Sequence, residues 1–342
     1  MNKKNPGFVL ILAVLITAVM TIAVTTLINR ALVFGRITST LQKREQARLL
    51  ALSGIQIALA QLAATSEQKN SDTKKTSPPG QSPPPEPIKS VPGLLKIINR
   101  WQQFNFTQES DNLDGSCQLY IASEQGKINI NALYDFKKKQ FIKQGSFDGL
   151  KLCQFIGGRL SSFMTSNKFV EALKSALKEH TEPLQDITQL LTQTQFAAFK
   201  NNIFLEPNSN MALLDLFTAG THTLVQPWFL SRSLCSVIEI PCIGELDIKK
   251  IENFLKTLQP KDMTPWSERW NTTVAPVYGK QWSALSPDVQ ILFNQKLETD
   301  AFSIISYGTF GGIVEKIYAI VYKQQGSRDK PGAYCIKKLY WI

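Results

Sequence analysis

Histidine is almost missing from this chain of 342 residues, which holds only His180 and His222. A multi-histidine metal site or a histidine proton relay is therefore excluded as the basis of its function. Cysteine is also sparse, with five residues, too few for a disulfide scaffold in a chain of this length. Only 19% of the residues are charged, and there is no G-x-S-x-G, H-E-x-x-H, C-x-x-C or P-loop motif. The Gly308-x-x-x-Gly312 run falls between expected strands with no helix behind it, so it reads as a turn rather than a phosphate cradle. His180 ends an expected helix before Pro183, and His222 lies in a polar loop without an evident partner. What the chain does have is 43% apolar residues, enough to bury real cores, and a net charge of +11. The positive residues are scattered, with Lys137, Lys138 and Lys139 as the one tight run, so a solvated basic face is expected and nucleic acid is not an expected partner.

The N-terminus carries the strongest signal. Lys3 and Lys4 lie in a short polar leader ending at Gly7. Phe8 to Ile28 follow, 21 residues without a charge, four of them Thr. At 1.5 Å per residue such a helix spans the ~30 Å core of a bilayer. The positive-inside rule keeps Lys3 and Lys4 cytoplasmic and sends the rest of the chain across. The run is too long, and its far end too poor in small residues, for a cleaved secretory signal. No proline interrupts residues 30–64. Ile37 and Leu41, then Leu52, Ile55, Leu59 and Leu62, recur at helical spacing between Lys43, Arg44, Glu45 and Arg48. One helix over 8–64 is expected, half in lipid and half presenting an apolar stripe to a folded domain.

Residues 65–93 hold seven prolines up to Pro92 and almost nothing apolar, a linker by composition. Leu94 to Phe104 suggests a short helix. Cys117 to Ala122 alternates as a strand, Ser123 to Gly126 reads as a turn with Gly126 at positive φ, and Lys127 to Asn131 as the returning strand of a hairpin. Helices are expected at 152–164, 168–178, 184–191, 194–201, 245–258 and 288–297, and strands at 301–307, 313–322 and 333–341. Strands on both sides of a helical block of this size predict an α+β fold in which a large helical domain, 136–298, is inserted into a smaller module formed by 94–135 and 299–342.

The leader, with Gly7 before Phe8 at the head of a long apolar-then-amphipathic helix, resembles type IV prepilins and the pseudopilins of type II secretion. The resemblance implies cleavage after Gly7 by a prepilin peptidase and methylation of the new amine on Phe8. That family usually carries Glu at the fifth position after the cut, where this chain has Leu12. The carboxylate normally pairs with a neighbouring subunit's amine in an apolar filament core, where an unpaired charge is costly. A subunit at the filament tip has no neighbour ahead, and among pseudopilins the large K subunit typically lacks this Glu. Ser123 to Leu133 (S-E-Q-G-K-I-N-I-N-A-L) resembles the K-subunit hairpin signature through Gly126, Lys127, Asn129, Asn131 and Leu133, with Ser123 in place of the usual acid. The resemblance implies a pilin-like long helix on a small antiparallel sheet, a non-enzymatic role at the pseudopilus tip, and an inner-membrane, single-pass location with a periplasmic bulk. It implies the I- and J-like minor pseudopilins, the major pseudopilin and the prepilin peptidase as partners. The alternatives are a minor pilin of a type IV or competence pilus and a signal-anchored periplasmic enzyme. K subunits are associated with calcium, for which Glu109, Asp111 and Asp114 are the candidate ligands against the reading of a solvated turn. Of the cysteines, Cys235 with Cys242 and Cys117 with Cys335 are the pairs considered for an oxidising compartment, and Cys153 is left over.

Overall fold

The computed structural model describes residues 6–67, 91–111, 114–160, 165–190, 202–220, 222, 224–247, 249, 266–293, 299–324 and 333–342. The first element is one helix of 62 residues, α1 (Pro6–Glu67). Proline at its head costs nothing, since the first N–H of a helix has no partner in any case. The hydroxyls of Thr17, Thr21, Thr25 and Thr26 donate to the carbonyls of Ala13, Thr17, Thr21 and Ile22 at 2.7–3.1 Å, so the apolar half contains no unsatisfied hydroxyl among them. The most apolar stretch has a mean hydropathy of 2.6 and is not buried at all, long and apolar enough to cross a membrane.

The lower half of α1 lies on a sheet. Ile55 and Leu62 are fully buried, whereas Leu52 and Leu59 only flank the contact. Its centre is filled by Ala47, Ala51, Gly54 and Ala58, because helix and sheet approach too closely for larger residues. A Cβ on Gly54 would stand 2.1 Å from Ser306 Oγ, and one on Gly308 would stand 2.0 Å from the Ala47 carbonyl oxygen.

After α1 come α2 (Val91–Ile97), β1 (Trp101–Phe106) and β2 (Gly115–Ser123). The helix expected over 94–104 is thus half helix and half strand. Asn99, at a φ of 56°, ends α2, and its amide donates to the Leu230 carbonyl at 2.8 Å. The chain then turns into β1, which pairs with β2 from Trp101↔Tyr120 to Phe106↔Gly115. The short β3 (Ile128–Asn129) does not return beside β2. It runs parallel to a distant strand, so the expected hairpin does not form. Gly126 is not at positive φ either. Glycine is needed there because a Cβ would stand 1.7 Å from the Phe229 carbonyl oxygen.

The following segment is less regular than expected. It contains α3 (Gly149–Arg159), capped by the Asp148 carboxylate on the N–H groups of Leu150 and Lys151 at 3.1 Å, and α4 (Ser166–Lys178). Then come β4 (Phe217–Thr218), the partner of β3, and α5 (Arg232–Ile238). The helices expected at 184–191 and 288–297 are single turns, Ile187–Leu190 and Pro287–Gln290, in their described parts, and 245–258 begins with another, Ile243–Glu245. The 194–201 helix, most of 245–258 and most of the 65–93 linker lie outside the described residues. Fully buried Phe217, Trp228, Phe229 and Trp270 anchor these short pieces.

The chain ends in β5 (Ala301–Phe310), β6 (Ile313–Lys323) and β7 (Tyr334–Trp341). Gly311 and Gly312, at φ values of 54° and 82°, make the tight β5–β6 turn. The sheet is antiparallel throughout, in the order β1-β2-β5-β6-β7. Because β2 pairs with β5 from Ser116↔Thr309 to Ser123↔Phe302, residues 124–300 leave and re-enter between two adjacent strands. Cys117, Ser306 and Gly308 face α1. Tyr120, Ser303 and Tyr307 face the other way, toward Asn99, Lys127 and Leu205. The fold is α+β: a long N-terminal helix on one face of an antiparallel sheet, with further helices beyond.

Candidate functional site

The residues singled out by the signature meet where β2 leaves the sheet. Ser123 closes β2, and one 3₁₀ turn, Glu124–Gly126, redirects the chain. Lys127, only 1% exposed, then points back under the sheet. Its ammonium donates to Glu124 Oε1 at 2.7 Å, to the Leu214 carbonyl at 2.8 Å and to Ser303 Oγ at 2.6 Å. All three of its protons are used. One cation thus ties the exit of β2, the segment before β4, and β5. The other Glu124 oxygen accepts from the Thr218 hydroxyl on β4. A buried ion pair is tolerable when every remaining donor and acceptor is met, and here they are.

Asp215 lies in the same buried region. It accepts the Ser233 N–H at 2.8 Å, while Ser233 Oγ accepts the Ala212 N–H at 2.9 Å. Burial raises its carboxyl above the ordinary value, against the pull of Lys127 and the Ser233 hydrogen bonds.

The two signature asparagines are structural fasteners. Asn129 donates to the carbonyls of Gly220 (2.9 Å) and His222, and its oxygen accepts the Asn131 N–H at 3.0 Å. Asn131 makes a two-way bridge to Leu184, donating to its carbonyl at 2.8 Å and accepting its N–H at 2.9 Å. Leu133 is buried, 1% exposed. Ser123, where the signature has an acid, bonds the Thr299 hydroxyl at 2.7 Å, just before β5. His222 is not partnerless: its Nε2 lies 3.4 Å from the Lys127 carbonyl, and burial lowers its pKa. His180 closes α4, its N–H on the Leu177 carbonyl at 3.2 Å.

A second junction fixes α1. Glu315 on β6, 7% exposed, pairs with Arg44 and, at 3.4 Å, with Arg48, and Arg48 also lies 5.1 Å over the Trp341 ring. Gly7 and Phe8 belong to the first turn of α1, and Leu12 is 47% exposed on its apolar half.

The calcium candidates gather at one short turn. Asp111 accepts the Thr107 N–H at 3.0 Å, Asp114 accepts the Gln108 N–H at 2.9 Å, and Glu109 sits in the turn between. Each of the two aspartates has one oxygen on a backbone N–H. Among the described residues no three His, Cys, Asp or Glu side chains are placed to hold a metal. All five cysteines are free thiols. Cys117 and Cys335 sit on β2 and β7, separated by β5 and β6, so that pair cannot form. Cys235 and Cys242 are buried with their thiols in contact with each other, and each also faces a carbonyl, Leu230 and Asn99 respectively, so of the two pairs considered the fold brings this one together.

Sequence reasoning found Lys127, Asn129 and Asn131 but missed Glu124, Asp215, Thr218 and Ser303. The Glu124-x-x-Lys127 spacing was the one local hint of the ion pair; the others are distant in sequence.

No family model and no curated protein matches the chain. Among solved structures it is similar to a chain of the GspK-GspI-GspJ complex from the type 2 secretion system of enterotoxigenic Escherichia coli. The identity is 13% and the TM-score 0.44, covering 89% of this chain and 99% of that one.

Proposed function

We propose that this chain is a minor pseudopilin of K-subunit type, a structural component of a type II secretion pseudopilus and not an enzyme. The observation that carries the reading is α1. One unbroken helix presents an open apolar half fit for lipid or for neighbouring helices, and its other half is fixed to an antiparallel sheet. In this reading Phe8 to Ile28 anchors the chain in the inner membrane with Lys3 and Lys4 cytoplasmic, and the bulk lies in the periplasm. The peptidase cuts between Gly7 and Phe8, and Phe8 is methylated. Leu12 leaves no carboxylate seeking a neighbour's amine, which suits the first subunit of a filament. The module 94–135 with 299–342 serves as the pilin-like part. The insert of 136–298 is bulk that a tightly wound shaft would exclude, so the chain caps or primes the tip with I- and J-like partners.

The test is the mature N-terminus, read by intact mass and peptide sequencing with and without a co-expressed prepilin peptidase. Peptidase-dependent N-methylated Phe8 is the expected result. A chain still starting at Met1, in cells where a known prepilin is cut, would overturn the reading.

A further inference from the structure

The edge strand β7 carries a β-bulge. Ile320 on β6 pairs with Lys338 and Val321 with Ile336, which leaves Lys337 as the extra residue. Bulges re-aim side chains, and this one brings two consecutive lysines to the same cleft. The cleft has a volume of about 530 Å³, within the range of ligand pockets. It lies between the sheet and the insert, with Asn129, Asn131, Leu184 and Tyr322 among its walls.

The two lysines are not equivalent. Lys338 is neutralised by Asp186 at 3.1 Å, and that fully buried carboxylate also accepts from the Tyr340 hydroxyl. Lys337 instead stands 4.7 Å over the Tyr322 ring, with no ion-pair partner among the described residues. The walls are held in place, since the Asn129 and Asn131 amides are committed to backbone groups of Gly220, His222 and Leu184. A fixed cleft with both polar and apolar walls, and one cation that has no ion-pair partner among the described residues, suits a carboxylate. Among the described residues the adjoining strand β7 is the edge of its sheet and pairs only with β6, which leaves its outer backbone groups for an added chain.

The geometry points to a binding site for a carboxylate on an extended polypeptide segment. The acid pairs with Lys337, an apolar neighbour lies against the exposed Pro183, and the segment's backbone runs beside β7. This site does not depend on the filament reading.

The test uses the full chain in detergent micelles and fluorescence anisotropy of dye-labelled pentapeptides. The first has a central Asp flanked by leucines and both ends blocked. The second has Asn in its place, and the third has that Asn with a free C-terminal carboxylate. Binding of the first or third at least about tenfold tighter than the second is expected, and which of the two binds tells a side-chain acid from a chain terminus. Lys337→Ala should weaken it about tenfold, Lys337→Glu should abolish it, and Lys337→Arg should keep it. Lys137→Ala, at an exposed lysine elsewhere, should change nothing. Thermal melts of each variant check that it folds. Equal binding of all three peptides, or binding unchanged in a folded Lys337→Glu variant, would overturn the proposal.

Discussion

Replacing Lys127 by methionine keeps the length and bulk of the side chain and removes its charge. Glu124 then remains buried, 3% exposed, with Thr218 as its hydroxyl partner. The Leu214 carbonyl and Ser303 Oγ each lose a donor. Breaking one side of a buried pair costs about 3–5 kcal/mol. In a chain with a few hundred ordered residues each kcal/mol moves the midpoint by about 2 °C, so Lys127→Met should melt about 6–10 °C lower. The assay is a thermal melt in detergent micelles, run as a double-mutant cycle with Glu124→Gln. Neutralising both members removes the stranded charge, so the double variant should be about 2 kcal/mol more stable than the sum of the single losses. If Lys127→Met costs less than about 1 kcal/mol, or the two losses simply add, the cation is not the tie between β2, β5 and the insert.

Two further outcomes follow from the same region. Gly126→Ala places a Cβ 1.7 Å from a backbone oxygen that cannot yield as a side-chain tip can. It should destabilise by about 3 kcal/mol, read as faster protease cleavage within 124–300 than within the sheet. Asp215 holds its proton more tightly when folded than at the ordinary value of 3.8, so its contribution is complete below that pH and fades as pH climbs through the raised value. Asp215→Asn cannot lose a proton, so the variant's melting temperature should gain on the wild type from pH 4 to pH 7; a difference independent of pH would refute this.

Several elements were legible because their cause is local. The helix α1 announced itself through an uninterrupted apolar run without proline, and the β5–β6 turn through the glycines of 308–312, although only Gly311 and Gly312 make it and Gly308 lies inside β5. The end of α2 was hidden, since nothing nearby shows that Asn99 will leave the helical region to reach Leu230. β1 was read as helix because only its pairing with β2 and the packing of Trp101 on Tyr120 (5.3 Å) and Tyr307 (5.5 Å) make it a strand. The hairpin failed for a like reason. The partner of Ile128 and Asn129 is Phe217 and Thr218, remote in sequence, and no local rule names it. At the site, the signature residues were visible, but their chemistry is a fastening of backbone to backbone that appears only once the chain is folded.

The pairing of β2 with β5 also sets an order of events. Ser116 and Thr309 are on the order of 190 residues apart, a large loop to close before any contact rewards it. The buried face of α1 rests largely on Ser306 and Gly308 of β5 and on Glu315 of β6, so the earliest-synthesised element waits for the last strands to cover it. During synthesis α1 is complete while its Leu50, Ile55 and Leu62 remain bare. A chain stopped before residue 300 would carry an uncovered apolar stripe, a target for degradation rather than a shorter working version of the protein.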